Sequence, residues 1–150
     1  MKNLIKQFEK ARKDFLETID SFPKPRVEEV LFDEWSLKNI LSHLSGWAKY
    51  QTDTLRLFRK GDKIEVQKNL KHSINEDFVF RREKWSWGRV YQEFLKLSGD
   101  LIKEYESLPK ELWENEIYNG KETTVEDFIK IEINHYNKTH GPQISRVLEK

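Results

Sequence analysis

The run Glu34-Trp35-Ser36-Leu37-Lys38-Asn39-Ile40-Leu41-Ser42-His43-Leu44-Ser45-Gly46-Trp47 decides how the rest of this chain is read. Ser36 stands just before an apolar run of helical period, where a hydroxyl caps the first turn. Ile40, His43, Trp47 and Tyr50 follow at spacings of three and four, so they share one helix face. Leu37, Leu41, Leu44, Leu55 and Phe58 form an apolar row beside them. A lone imidazole on the apolar side of a helix needs an acceptor, a metal or a substrate as partner. His135 and His140, near the end of the chain, are candidates to supply it.

Outward from this helix the pattern stays helical. Leu4, Ile5, Phe8, Ala11, Phe15, Leu16 and Ile19 make a stripe over about Asn3 to Ile19, ended by Pro23 and Pro25. Val27 to Phe32 is apolar but too short to assign. The second helix is expected to run to Lys60, with Gly61 as its C-terminal signal. A polar connection carrying His72 extends from Asp62 to about Glu76. The third helix is expected from Asp77 or Lys84 through Ser107, stopped by Pro109. Leu112 to Gly120 reads as a loop whose Trp113, Ile117 and Tyr118 fold back onto the core. Thr123-Thr124-Val125-Glu126 fits a capping box with Thr123 at the cap, opening a last helix toward Val147, and Pro142 predicts a kink. The expectation is all-α: a single domain, residues 1–150, built as a four-helix bundle with one long crossover between the second and third long helices.

Composition narrows the chemistry. Of 150 residues, 27 are Lys or Arg and 26 Asp or Glu, so no bulk charge attracts nucleic acid or an anionic membrane. The absence of cysteine excludes disulfides, thiol nucleophiles and thiolate metal ligands, in keeping with a cytoplasmic protein. No window reaches transmembrane length, and Met1-Lys2-Asn3 leads into an amphipathic stripe rather than a signal peptide. No glycine-rich phosphate loop or nucleophile elbow is present. Five Trp, five Tyr and nine Phe exceed what a small core needs, so some line a cavity or an interface. Trp85 and Trp87, two apart, cannot both face the core from one helix.

The Trp35 to Trp47 run resembles the second-helix signature of the DinB-like superfamily, and Ile133-Asn134-His135-Tyr136 with His140-Gly141-Pro142-Gln143-Ile144 resembles its last helix. Ser73-Ile74-Asn75-Glu76-Asp77-Phe78 and the Trp-rich start of the third helix are most similar to the ClbS/DfsB-related branch. The resemblance implies an up-down-down-up bundle, often a homodimer, and an enzyme of small-molecule hydrolysis or transfer in detoxification or self-protection. For the superfamily it also implies a divalent metal, nickel or zinc, held by one histidine of helix two and two ligands four apart on the last helix, whereas for the ClbS-related branch it implies a metal-independent cavity lined by aromatic and polar groups. His43 matches the first position. His135 and His140 are five apart, a rotation of roughly 140° beyond a full turn, so a straight helix would splay them. A helical bulge or the Pro142 kink would bring them together; otherwise water or Glu132 completes the set.

The candidate residues are therefore His43 and His135 as catalytic groups; His43, His135 and His140 as metal ligands; and Trp47, Tyr50 and Tyr136 as substrate contacts. Trp85, Trp87, Tyr91, Trp113 and Tyr118 are further aromatics able to wall a cavity. Glu132 is expected to orient an imidazole, and Asp127 to complement the helix dipole. The competing reading makes the protein a non-catalytic bundle that sequesters a ligand or dimerises, with His43 as an ordinary core histidine. Distance separates them: His43 and His135 more than ~5 Å apart with no pocket between them would end the site reading.

Overall fold

The structure, a computed structural model, describes residues 2–62, 64–65 and 70–149, the side chains of 70–73 excepted. His72 thus falls outside the described side chains. The helices are α1 (Lys2–Asp20), α2 (Leu37–Arg59), α3 (Leu70–Phe80), α4 (Trp87–Ser107), α5 (Val125–Asn134) and α6 (Gly141–Leu148). A π-helical turn, His135–His140, joins α5 to α6. Among the described residues there is no strand, only isolated bridges such as Glu116 with Thr124. No helix among them is long and apolar enough to cross a membrane.

The α2 cap forms as its sequence demands. Ser36 Oγ accepts from the Asn39 amide, and the Asn39 side chain accepts from the Ser36 amide. The helix closes at Lys60, and Gly61 follows with φ of 85°, a value favourable only to glycine. Leu37, Leu41, Leu44 and Leu55 are fully buried in the same core as Val90, Phe94 and Leu101 of α4, the helix against which α2 packs. Phe8, Ala11, Phe15 and Ile19 are the buried stripe of α1, which packs against α4, α5, the π turn and α6. Arg12 adds a polar tie between α1 and α4, donating to Ser98 Oγ and the Leu95 carbonyl. Each buried Leu or Phe contributes about 1.5–3 kcal/mol of transfer free energy, so these stripes carry most of the folding drive.

Three expectations change. The Asp62–Glu76 connection contains the first turns of α3, a helix with a weakly segregated apolar face that seats Phe78 on α2. A turn over 81–86 separates it from α4, which starts at Trp87 because Ser86 Oγ accepts from the Arg89 amide. The last helix is capped by Thr124, not Thr123: Thr124 Oγ1 accepts from the Asp127 amide, and Asp127 accepts from the Thr124 amide. The box is shifted by one residue because aspartate reaches the cap amide as well as glutamate does. The Leu112–Gly120 loop does fold back, burying Trp113, Ile117 and Tyr118.

Candidate functional site

Pro142 has no amide proton, so an α-helical bond to Lys138 cannot form. The chain accommodates this by widening the preceding turn, and the Gly141 amide donates to Tyr136 O, five residues back. A Cβ on residue 141 would lie 2.3 Å from that carbonyl, so only glycine fits. The wider turn cancels the splay expected of two histidines five apart. His135 and His140 have ring centres 5.9 Å apart, and His43 on α2 lies 6.3 Å from His135 and 5.3 Å from His140. Three imidazoles, one from α2 and two from the π turn, thus face one another.

The His43–His135 separation exceeds ~5 Å between ring centres, but a cavity of about 240 Å³ lies between them, so the condition that would end the site reading is not met. His43, Trp47, Tyr50, Gln51, Glu132 and His135 are among its walls. Tyr118 closes it, its hydroxyl 3.4 Å from that of Tyr50, and burial pushes the Tyr118 phenol upward. On the opposite side of the cluster, His140 and Trp35 open onto a shallower cleft of about 690 Å³, bordered by Asp33, Lys138 and Arg146. Asn75 of α3 borders both cavities. It accepts a hydrogen bond from Trp47 Nε1, and α3 is held there because Gly46 lets the Phe78 ring sit directly on α2.

Two members of the cluster, His43 and His140, are held neutral. His43 and His140 are each 7% exposed. Burial, followed by repulsion from His140 and His135, lowers the pKa of His43 to about 3. Burial likewise lowers His140 to about 4, against a hydrogen bond to Gln143 Oε1, which raises it, and with repulsion from His135. Neutral imidazoles keep a lone pair free, which is the form that binds a metal. His43 Nδ1 and His135 Nδ1 are buried with no hydrogen-bond partner, whereas His140 Nδ1 faces Gln143 Oε1 at 3.1 Å. Trp35 covers His43 at 4.9 Å between ring centres.

An ion about 2.1 Å from a ring nitrogen stands roughly 3.2 Å from the ring centre, so three rings on one ion have centres roughly 5.2–5.5 Å apart. The His43–His140 pair is at that spacing; the other two are wider. Among the described residues no group of three or more His, Asp or Glu side chains is placed to hold a metal ion. The His43–His135 and His135–His140 pairs would each have to close by less than about 1 Å to reach the spacing one divalent ion needs.

Of the residues singled out in the sequence, His43, His135, His140, Trp47 and Tyr50 come together. Tyr136 does not join them. It points to the other side of the π turn, stacks on Phe15 at 5.0 Å and packs against Phe8 and Phe94, so it belongs to the core. Trp113 packs on Tyr105 in the core, and Trp87 pairs with Tyr91 away from the cavity. Trp85 is half-buried beneath the Arg89 guanidinium, 3.6 Å above its ring. Asp127 serves the helix cap alone. Trp35, Gln51 and Asn75 went unassigned: Trp35 flanks the cap, Gln51 reads as a polar interruption, and Asn75 sits in the stretch taken for a connection. Only Gln51 carries a signal, standing eight residues after His43 and so near its face.

Comparisons of the chain with protein-family models, with curated proteins and with solved structures find no match, so its site is read from geometry alone.

Proposed function

We propose that the protein is a metal-dependent enzyme acting on a small molecule, with His43, His135 and His140 holding one divalent ion, nickel or zinc. The carrying observation is the convergence of three imidazoles, two of them buried and held neutral, that their sequence spacing would keep apart. In architecture we read a DinB-like four-helix bundle, in which α1, α2, α4 and the continuous α5–α6 helix are the four members. On this reading α3 rides on the long crossover between α2 and α4. A bound ion would supply Lewis acidity between the two cavities, suited to hydrolysis or group transfer. Trp47, Tyr50 and Tyr118 would bind the apolar part of the substrate, and the two phenols would orient a polar group on it.

The test is metal content of untagged protein after offering nickel or zinc and dialysing mildly. Near-stoichiometric ion in wild type, lost in a folded His43→Ala, is the expected result. A folded wild type that retains no ion would overturn the proposal. A second reading has its own support in the aromatic cavity of about 240 Å³. There the protein binds a flat ligand without metal, and Tyr50→Ala, rather than His43→Ala, would abolish binding in a ligand screen.

A further inference from the structure

The smaller cavity is walled by two edge-to-face aromatic pairs from different parts of the chain. Trp47 and Tyr50 of α2 have ring centres 5.3 Å apart, and Tyr118 of the loop and Phe128 of α5 have theirs 5.7 Å apart. The pairs approach each other where the Tyr50 and Tyr118 hydroxyls stand 3.4 Å apart. Ile131, an exposed apolar side chain, carries the lining out to the rim. At about 240 Å³ the cavity exceeds the roughly 150 Å³ that holds one benzene, so its aromatic walls fit a flat body of two rings.

Polar groups are placed unevenly around it. Lys121 is the one lysine or arginine among the described residues of the lining. It is exposed, its Nζ stands 5.6 Å from the centre of the Tyr118 ring, and it forms no ion pair among the described residues. The acidic member of the lining, Glu132, is fully buried and accepts from Gln51 Nε2, so the place for a ligand's anionic group is the mouth. We infer that the cavity takes an aromatic monocarboxylate, its rings between the two aromatic pairs and its carboxylate on the Lys121 ammonium. A lone ammonium is a point charge matched to one carboxylate. Phosphate dianions are met best by the forks of arginines, and no arginine borders this cavity. The inference rests on the small-molecule reading above and deepens it by naming the class of ligand, with Lys121 as a specificity residue at the rim.

The probes are 2-naphthoate and its uncharged counterpart 2-naphthamide, titrated by calorimetry into wild type, Lys121→Gln and Tyr50→Ala, all as full chains. Naphthoate should bind wild type about tenfold more tightly than naphthamide, the effect of one charge-assisted contact at a partly exposed site. Lys121→Gln, a change at an exposed side chain, should erase that preference and leave the affinity for the amide within about twofold. In wild type the preference should shrink as salt is raised. Tyr50→Ala should weaken both probes together. Equal affinity of wild type for the two probes, or a preference that survives Lys121→Gln, overturns the inference and leaves the aromatic cavity as a binding site. Undiminished binding in Tyr50→Ala places the probes elsewhere and also overturns it. If neither probe binds folded wild type, the inference falls with the small-molecule reading of this cavity, and metal content then tests the ion site by itself.

Discussion

Glu104 on α4 and Glu132 on α5 are both buried, and their surroundings differ completely. Glu104 is 6% exposed and lies between two guanidiniums, with Arg56 Nε at 3.3 Å and Arg59 Nη2 at 2.8 Å. The Arg59 contact is an ion pair by distance although it is not aligned as a hydrogen bond. Glu132 has one amide donor, Gln51 Nε2, and the His135 Nδ1 at 3.4 Å. The first carboxylate is provided for by the fold. The second keeps one oxygen with neither a hydrogen bond nor an ion pair among the described residues, at the wall of a cavity.

Acid should expose the asymmetry most strongly. His43 and His140 are neutral in the folded chain down to about 3 and about 4, and both protonate near 6.5 when unfolded. Between those values the unfolded state holds more protons, so metal-free stability falls as pH falls, by up to about 1.4 kcal/mol per pH unit for each ring. Urea melts should therefore show a loss of about 3–4 kcal/mol between pH 7 and pH 5. The slope should be roughly halved in His140→Gln; equal slopes would mean the rings are not held neutral.

At the other carboxylate, Glu104→Ala should cost about 2 kcal/mol. That sum is at the low end for a broken buried pair, because both arginines keep much of their solvent. A thermal melt would show this as a drop of several degrees, and no drop would erase the contrast with Glu132. A change at α3 should touch only the histidine end. Gly46→Ala puts a Cβ 2.1 Å from the Phe78 ring, so the helix carrying Asn75 must move. The expected net cost is about 1–2 kcal/mol, since overpacking outweighs the better helix propensity of alanine. Hydrogen exchange should quicken in α3 and stay unchanged around Glu104. The smallest effect belongs to the cap of the helix that carries Glu132. Thr124→Ala should cost about 1 kcal/mol and Thr123→Ala almost nothing, a difference that chemical denaturation resolves.

Much of this arrangement was legible in the chain, and the parts that were not share a cause. The apolar stripes of α1, α2 and α4 declare themselves by period, and Ser36 and Gly61 mark where α2 begins and ends. What stays hidden is anything settled by contact between distant segments. The face of α3 that lies on α2 is set by the space over Gly46, which no local pattern reveals. Tyr136 looked like a neighbour of His135 because the two are adjacent, but the interior aromatic stack with Phe15 claims it. His43 and the last-helix histidines were visible as residue types. Their meeting was not, because it depends on how Gly141 and Pro142 reshape the turn before them.

That turn also changes how lengths in this helix should be counted. A π turn spends one residue more than an α turn to cover the same stretch of axis. The chain beyond it resumes its old phase, and Ile144 is fully buried as an uninterrupted helix one residue shorter would have it. To the interior, His135 and His140 are four positions apart, and the extra residue is an insertion already absorbed. Shortening the segment Asn137 to Thr139 by one residue would then leave the packing of α6 in register and convert the pair into neighbours on an ordinary helix. Spacing measured along the polypeptide and spacing measured through space are separate quantities here, and evolution can change the first without disturbing the second.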